Sequence, residues 1–222
     1  MCFSAGASFT AGVVLTAVGA GTLKKVHKPS QIVFASITVF FALQQFIEGI
    51  LWLTITHTGY LRLQTITTQI FIVMAQVVWP AMIPVSVLLM EENKTRKRIL
   101  LALLIAGLGI ALSGLYGIVL YPVHADISSR HLVYQNDLHN AFGKTALILY
   151  FVVTVLPFFV SGVKRMYALG IIMGLSFAIS AVFYMKCLTS VWCFFAAVIS
   201  FVIYFIVRDS HLKTRQKGGG NA

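Results

Sequence analysis

Seven long apolar segments follow one another along this chain, separated by short polar stretches. A helix that crosses the hydrocarbon core of a bilayer needs roughly 20 mostly apolar residues, and each segment is close to that length. Because a span in lipid must satisfy its own backbone hydrogen bonds, the pattern predicts helices rather than isolated strands. The predicted fold is therefore an all-α, polytopic integral membrane bundle of seven transmembrane helices. These helices are predicted at 5–23, 31–56, 66–90, 99–121, 142–163, 166–184 and 188–207.

Positive charge is concentrated in every second gap between these segments. The stretches after the first, third, fifth and seventh segments hold 13 of the 17 Lys and Arg residues. Basic loops of membrane proteins stay in the cytoplasm. The charge pattern therefore predicts that the amino terminus lies outside and the carboxyl terminus lies in the cytoplasm.

Composition supports a membrane protein of one domain. The chain has 222 residues and is 59% hydrophobic, with a mean hydropathy of +0.89, which excludes a soluble protein. We expect one seven-helix domain over 1–212 and a disordered polar tail over 213–222. The net charge is +11. The basic residues that produce it are predicted to border the inner leaflet, where anionic lipid attracts them. The bilayer is thus the expected partner, nucleic acid is not, and the oligomeric state stays open.

Glu48 is the only acidic residue inside a predicted span. It lies about two turns, on the order of 10 Å, below the predicted outer surface. Gln44 and Gln45 precede it by one turn and share its helix face. Charged side chains in a span are costly and usually mark a functional site. We expect Glu48 to face a cavity inside the bundle, with a hydrogen-bonded structural Glu as the alternative.

Cysteines and histidines cluster at the predicted outer side. Cys2 lies just before the first predicted helix, and Cys193 lies on a small and polar stripe of the last helix with Ser190 and Ser200. Cys2 and Cys193 are expected near each other, as a disulfide or as two ligands of one site. His131 lies in the loop between the fourth and fifth spans. Imidazole, carboxylate and thiolate are usual ligands of zinc and copper, although the spacing matches no specific zinc motif.

These residues define a predicted site in the outer half of the bundle. Glu48 is its centre, as general base or ligand, oriented by Gln45, with His131 as a further catalytic candidate. A divalent metal such as zinc or copper would be held by Cys2, Cys193, Glu48 and His131. The predicted pocket residues around this centre are Gln44, Gln76, Trp79, Tyr116, Tyr134, Tyr184 and Trp192.

Several motifs resemble a family of uncharacterised prokaryotic seven-helix membrane proteins whose chains begin Met-Cys-Phe-Ser. The resemblance rests on residues 1–9, 43–49, 79–80, 131–134 and 190–197, in order along most of the chain. It implies a multi-pass protein of the plasma (inner) membrane of a prokaryote, and it supplies no activity. The residues that it places in the family pattern are Cys2, Gln45, Glu48, Trp79, His131, Tyr134, Trp192 and Cys193.

Three functions fit these features. The first is a metal-assisted membrane enzyme, with its site facing the extracytoplasmic side, that acts on a lipid or small molecule. The second is a non-enzymatic binder or carrier of a metal, haem, lipid or protons. The third is a structural membrane protein in which a Cys2–Cys193 disulfide closes the first helix on the last. The sequence names no substrate and leaves these alternatives open.

Overall fold

The computed structural model describes residues 4–121, 123–128, 131–135 and 139–218. Side chains are described for these residues except at 58, 135, 139–142, 144, 186 and 210–218. Within these ranges the chain is a helical bundle with one β-hairpin. Its helices are α1 (Ala5–Leu23), α2 (Ile32–Thr54), α3 (Leu61–Val73), α4 (Trp79–Met90), α5 (Lys94–Leu120), α6 (His139–Val160), α7 (Met166–Phe183), α8 (Leu188–Ile199) and α9 (Phe201–Gly218). The strands are β1 (His124–Ser128) and β2 (His131–Gln135).

Six helical stretches of the described chain are long and apolar enough to cross a membrane. They correspond to the first four and the last two predicted spans, so the prediction of a helical membrane bundle is confirmed in this form. The fifth predicted span is α6, and the stretch of this helix with described side chains, Thr145–Val160, is apolar. The count of seven spans stays a prediction. The six stretches are Ala5–Leu23, Pro29–Thr54, Leu61–Met90, Lys94–Leu120, Met166–Phe183 and Leu188–Asp209.

The loop between α5 and α6 contains structure that the sequence analysis did not predict. β1 and β2 pair antiparallel, with His124 opposite Gln135 and Ser128 opposite His131. The helix α9 continues to Gly218, whereas a disordered tail is expected from residue 213 onward. The division into a domain and a tail stays a prediction.

The helix α2 lies at the centre of the bundle and α5 lies at its edge. In the most apolar stretch of the span that contains α2, 61% of the residues are buried, whereas in the corresponding stretch of α5 only 17% are buried. The main hydrophobic core includes Phe34 of α2, Leu100 of α5 and Met166 of α7, each with no exposed surface. A polar side chain on α2 is therefore enclosed by protein on several sides. Its hydrogen-bond partners must come from the neighbouring helices.

A π-helical turn, Met74–Val78, joins α3 to α4. The N–H of Trp79 donates to the carbonyl of Met74, five residues back. The carbonyl of Ala75 thereby loses its usual donor, and it accepts from the hydroxyl of Tyr150 on α6 at 2.5 Å. The turn therefore sets the direction in which Trp79 leaves the helix and also ties α6 to this point.

Two prolines just after the π turn leave further carbonyls without a helical donor. Pro84 has no N–H for the carbonyl of Pro80, and Pro80 has none for the carbonyl of Gln76. On α5, Gly107 lies against the Pro80 carbonyl and Gly114 lies against the Gln76 carbonyl. Glycine lets helix backbones approach closely in a membrane. These two glycines, seven residues apart, therefore fix the packing of α5 on α4.

Glu91 joins two loops at the end of the bundle where the basic segments lie. One carboxylate oxygen accepts from the N–H of Gly162 at 2.6 Å, and the other accepts from Asn93 and Glu92 at 3.0 and 3.1 Å. Burial by itself raises the pKa of Glu91, but these N–H groups and the charge of Arg96 together hold the pKa below its usual value. Glu91 is therefore a carboxylate with a structural role.

We predict that Gly107→Ala destabilises the bundle, because a Cβ at this position overlaps the carbonyl oxygen of Pro80. Forced packing of this kind costs about 1–3 kcal/mol. The loss would be measured as a lower thermal unfolding temperature of the detergent-purified protein. Gly109→Ala is the matched control, since nothing lies within 4 Å of a Cβ there. Equal unfolding temperatures for the two variants would contradict the proposed packing of α4 on α5.

Candidate functional site

Three polar positions within five residues of α2, 44, 45 and 48, are enclosed in the bundle. The side chains of Gln44, Gln45 and Glu48 have no exposed surface. These side chains are enclosed because α2 is surrounded by other helices. Polar groups within a bilayer have no water to bond to, so they must find partners inside the protein. Glu48 is therefore buried inside the bundle, and the expectation that it faces a cavity there stays a prediction.

The carboxyl of Glu48 is hydrogen-bonded to the last membrane-spanning stretch. The hydroxyl of Ser190, at the start of α8, donates to Oε1 of Glu48 at 2.6 Å. Ser190 is itself fully buried. The sequence analysis placed Ser190 on the polar stripe of the last helix but did not choose it as a site residue. Its position three residues before Cys193, on the same helix face, was the available signal.

Gln44 connects three helices through its amide. Its carbonyl oxygen accepts from the indole N–H of Trp79 at 3.0 Å, and its amino group donates to the sulfur of Cys193 at 3.5 Å. The indole of Trp79 stacks on the ring of Phe41 with centroids 4.0 Å apart. The structure thus brings Gln44, Trp79 and Cys193 together through hydrogen bonds.

The helices α2 and α8 run antiparallel, and hydrogen bonds join them at successive positions along their length. Glu48 is hydrogen-bonded to Ser190. Gln44 lies one turn before Glu48 on α2, and it is hydrogen-bonded to Cys193, which lies about one turn after Ser190 on α8. Further along, the hydroxyl of Thr38 donates to the carbonyl of Ser200 at 3.4 Å. We refer to Glu48, Ser190, Gln44, Cys193 and Trp79 as the polar chain.

Gln45 differs from its neighbours in the polar chain. Neither its amide oxygen nor its amide nitrogen has a hydrogen-bond partner within the described part of the protein. A buried amide without a partner is costly, on the order of 1–3 kcal/mol. The structure therefore gives no contact for the predicted role of Gln45 in orienting Glu48, and that role stays a prediction.

The β-hairpin packs over the end of the bundle that contains the polar chain. Tyr134 stacks on Phe71 of α3 with ring centroids 4.7 Å apart. Tyr134 also packs on the small buried cluster that includes Ile47 and Cys193. The hairpin therefore closes the polar chain from one end.

His131, also on β2, meets a different partner. Its ring lies edge-on to the ring of Tyr184 at 5.3 Å, and its residue is 9% exposed. Burial lowers the pKa of His131 and so favours the neutral imidazole. His131 and Tyr184 thus form a contact of their own, and the catalytic role predicted for His131 stays a prediction.

The remaining predicted pocket residues are dispersed. Trp192 packs against Tyr150 and Phe177, on the side of α8 that faces α6 and α7. Gln76 is half-buried within the π turn. Tyr116 is 65% exposed on α5 and points away from the bundle. The role of these residues in a pocket stays a prediction.

The described residues give no support to a metal centre. They contain no group of three or more His, Cys, Asp or Glu side chains that could hold a metal ion. Cys193 carries a free thiol, so the structure corrects the alternative in which Cys193 forms a disulfide. Its sulfur instead accepts from the amide of Gln44. Cys2, the other cysteine of that prediction, lies outside the described residues.

We predict that Trp79→Phe lowers the thermal stability of the protein. The change keeps an aromatic ring on Phe41 but removes the donor to the buried oxygen of Gln44, which costs about 1–3 kcal/mol. Trp52→Phe is the matched control, because the indole N–H of Trp52 has no hydrogen-bond partner among the described residues. The comparison would be made by thermal unfolding in detergent. If Trp52→Phe destabilises the protein as much as Trp79→Phe, the bond to Gln44 contributes nothing.

Comparison with known proteins gives one match. Among curated proteins and among solved structures, none matches the chain. A protein-family model, described as a family of unknown function (DUF6629), matches residues 1–217. This match covers nearly the whole chain, including the three helices of the polar chain, α2, α4 and α8. The chain therefore belongs to the family of unknown function DUF6629.

Proposed function

We propose that this protein is a non-enzymatic membrane protein that binds a proton at Glu48 and changes its helix packing with the charge of that residue. The observation that carries the proposal is the complete burial of the Glu48 carboxyl in a membrane-spanning bundle, with a bond to Ser190. Intramembrane carboxyl groups are rare, costly and typical of proton pathways. The proposal narrows the second of the three sequence-based hypotheses to one ligand.

The enclosure of the site favours a proton over a larger ligand. Glu48, Gln44 and Ser190 have no exposed surface, and Cys193 is 5% exposed. These groups also bond to one another, so their hydrogen-bonding capacity is directed inward rather than toward a substrate. A proton can reach such a group along hydroxyls and water, whereas a substrate requires the helices to separate. Enzymatic turnover at Glu48 has no such support.

Protonation at Glu48 changes the charge at the contact between α2 and α8 by one unit. Burying a charge in a low-dielectric interior costs several kcal/mol, and hydrogen bonds to the charged group offset part of this cost. The two charge states therefore favour different packing of α8 on α2. Because Gln44 ties the same contact to Trp79, a change in this packing would reach α4 directly.

We also propose the membrane arrangement that the charge pattern predicts. It has seven spans, with the amino terminus outside, in the plasma membrane of a prokaryote. The alternation of basic segments supports it. In this arrangement the polar chain lies in the outer half of the membrane.

We predict that Glu48 gives a protonated-carboxyl infrared band that appears and disappears with pH in the reconstituted protein. Glu48→Gln removes the band and leaves the helix content unchanged, because the amide keeps the shape of the side chain. Glu92→Gln is the control, since the side chain of Glu92 is 89% exposed at the other end of the bundle. The measurement is infrared difference spectroscopy during a pH titration. A titrating band that survives Glu48→Gln would refute proton binding at this residue.

We predict opposite labelling of two engineered cysteines in intact cells. With a membrane-impermeant maleimide, Asp126→Cys on the hairpin reacts from outside, and Lys97→Cys on the basic first turn of α5 reacts only in inverted vesicles. Asp126 and Lys97 are both exposed, and Lys97 lies in the charged first turn of its helix, so reagent access reports sidedness. The unmodified chain supplies the background from its native cysteines. Labelling of Lys97→Cys in intact cells would reverse the proposed orientation.

A further inference from the structure

A polar pocket of about 340 Å³ lies where α2 and α5 begin and α4 and α6 end. Each residue that lines it is within three residues of the end of a helix or of an apolar spanning stretch. Because the apolar stretches end here, the pocket lies at the level of the lipid headgroups. Gln31 lines it, and Glu48 follows 17 residues later on the same stretch, about 25 Å along the helix axis. The pocket is therefore separate from the proton site.

The pocket carries charges of both signs. Two basic and two acidic side chains line it, and their formal charges cancel. General attraction to anionic lipid requires only basic residues. A pocket with both signs instead suits a ligand that itself carries a positive and a negative group. The four charged side chains are those of Lys28, Glu91, Glu92 and Arg96.

The guanidinium of Arg96 is held in position and still has donors to offer. It packs against Gly162, where a Cβ would overlap it, and its charge acts on the nearby carboxylate of Glu91. The oxygens of Glu91, however, accept from backbone N–H groups. The ion pairs recorded for the described residues do not include Arg96. Since a guanidinium presents a planar fork of donors that matches a phosphate, Arg96 can bind one without breaking an ion pair of the protein.

The other two charged side chains are joined only weakly. The ammonium of Lys28 lies 3.6 Å from a carboxylate oxygen of Glu92, and the two side chains are 51% and 89% exposed. Exposed ion pairs of this kind contribute little to stability. Each partner therefore stays available to a ligand group of opposite charge, Lys28 to a phosphate and Glu92 to an ammonium.

From this arrangement we infer that the pocket binds the phosphoethanolamine headgroup of a membrane phospholipid. The phosphate lies against Arg96 and Lys28, and the primary ammonium donates to Glu92. The lipid is favoured over free phosphoethanolamine because the pocket borders the apolar stretches. Its two apolar side chains, Met90 and Val163, provide a surface along which the acyl chains leave. A primary ammonium has three N–H donors, whereas the quaternary ammonium of choline has none, so the site distinguishes the two headgroups.

The test is native mass spectrometry of the detergent-purified full chain. The probes are phosphatidylethanolamine, phosphatidylcholine and phosphatidylglycerol with identical acyl chains, and phosphatidylethanolamine is expected to bind most tightly. Arg96→Gln weakens its binding about tenfold or more, because charge-assisted hydrogen bonds to the phosphate are lost. Lys97→Gln is the matched control and leaves the binding unchanged, since Lys97 is an exposed neighbour on α5 that is not among the residues lining the pocket.

A second variant tests the ammonium contact. Glu92→Gln weakens the binding of phosphatidylethanolamine about three- to tenfold but does not weaken that of phosphatidylglycerol, which has no ammonium. Glu92→Asp keeps the charge and retains the preference. The side chain of Glu92 is 89% exposed, so neither change threatens the fold, and circular dichroism verifies this for every variant. Free phosphoethanolamine at the concentration of the lipid does not displace it, because the free compound has no acyl chains.

Four results would each overturn the inference. One is equal binding of the three lipids by the wild type. Another is a loss in Lys97→Gln as large as that in Arg96→Gln, which would mean general attraction to a basic surface. The third is a preference for phosphatidylethanolamine over phosphatidylglycerol that Glu92→Gln leaves unchanged. The fourth is displacement of the lipid by an equal concentration of free phosphoethanolamine, which would assign the pocket to the free compound instead of the lipid.

Discussion

The hydrogen bond between the Ser190 hydroxyl and the Glu48 carboxyl determines how α8 sits on α2. Apolar helices gain no hydrophobic free energy by meeting each other in lipid, so close packing and polar contacts select their partners. Glu48 and Gln44 present two polar groups one turn apart, and Ser190 and Cys193 present the matching pair on the antiparallel helix. A rotation of either helix about its axis would separate both pairs at once. The register of the two helices is therefore specified by these side chains.

The π turn and the prolines that follow it position Trp79 of α4 beside the contact between α2 and α8. Without the extra residue of the π turn, the side chains before Trp79 would be rotated by about 100° relative to those after it. The turn thus allows α3 to pack on α2 while Trp79 still faces Gln44. The carbonyls that the turn and the prolines release are met by Tyr150, Gly107 and Gly114. An irregular helix in the middle of a bilayer is tolerable here because neighbouring helices satisfy or cover its backbone.

The sequence predicted the bundle well because its signals are long and simple. Runs of apolar residues mark the spans whatever faces they present, and the burial of Glu48 follows from the cost of exposing a carboxyl to lipid. Side-chain direction was harder to predict. Tyr116 lies in a segment that is apolar all round, so periodicity could not show that it faces outward. The hairpin was missed because its two strands are short and lie in a polar loop rich in His and Asp.

The details of the polar chain depend on contacts between distant parts of the chain. The stripe on α8 could be read from spacing, but only the packing of α8 on α2 pairs Ser190 rather than Cys193 with Glu48. The π turn was equally hidden, since prolines at 80 and 84 indicate a disturbed helix without giving its form. The position of Cys2 relative to Cys193 lies outside the described residues, so their predicted proximity stays a prediction.

Glu48 and Glu91, the two buried carboxyl groups among the described residues, have different chemistry. Glu91 accepts from three backbone N–H groups, which can only donate, and it lies near Arg96. Such surroundings stabilise the carboxylate alone. Glu48 accepts from a serine hydroxyl, which donates to a carboxylate and can turn to accept from a carboxylic acid. This contact is therefore compatible with both protonation states of Glu48, as a residue that gains and loses a proton requires.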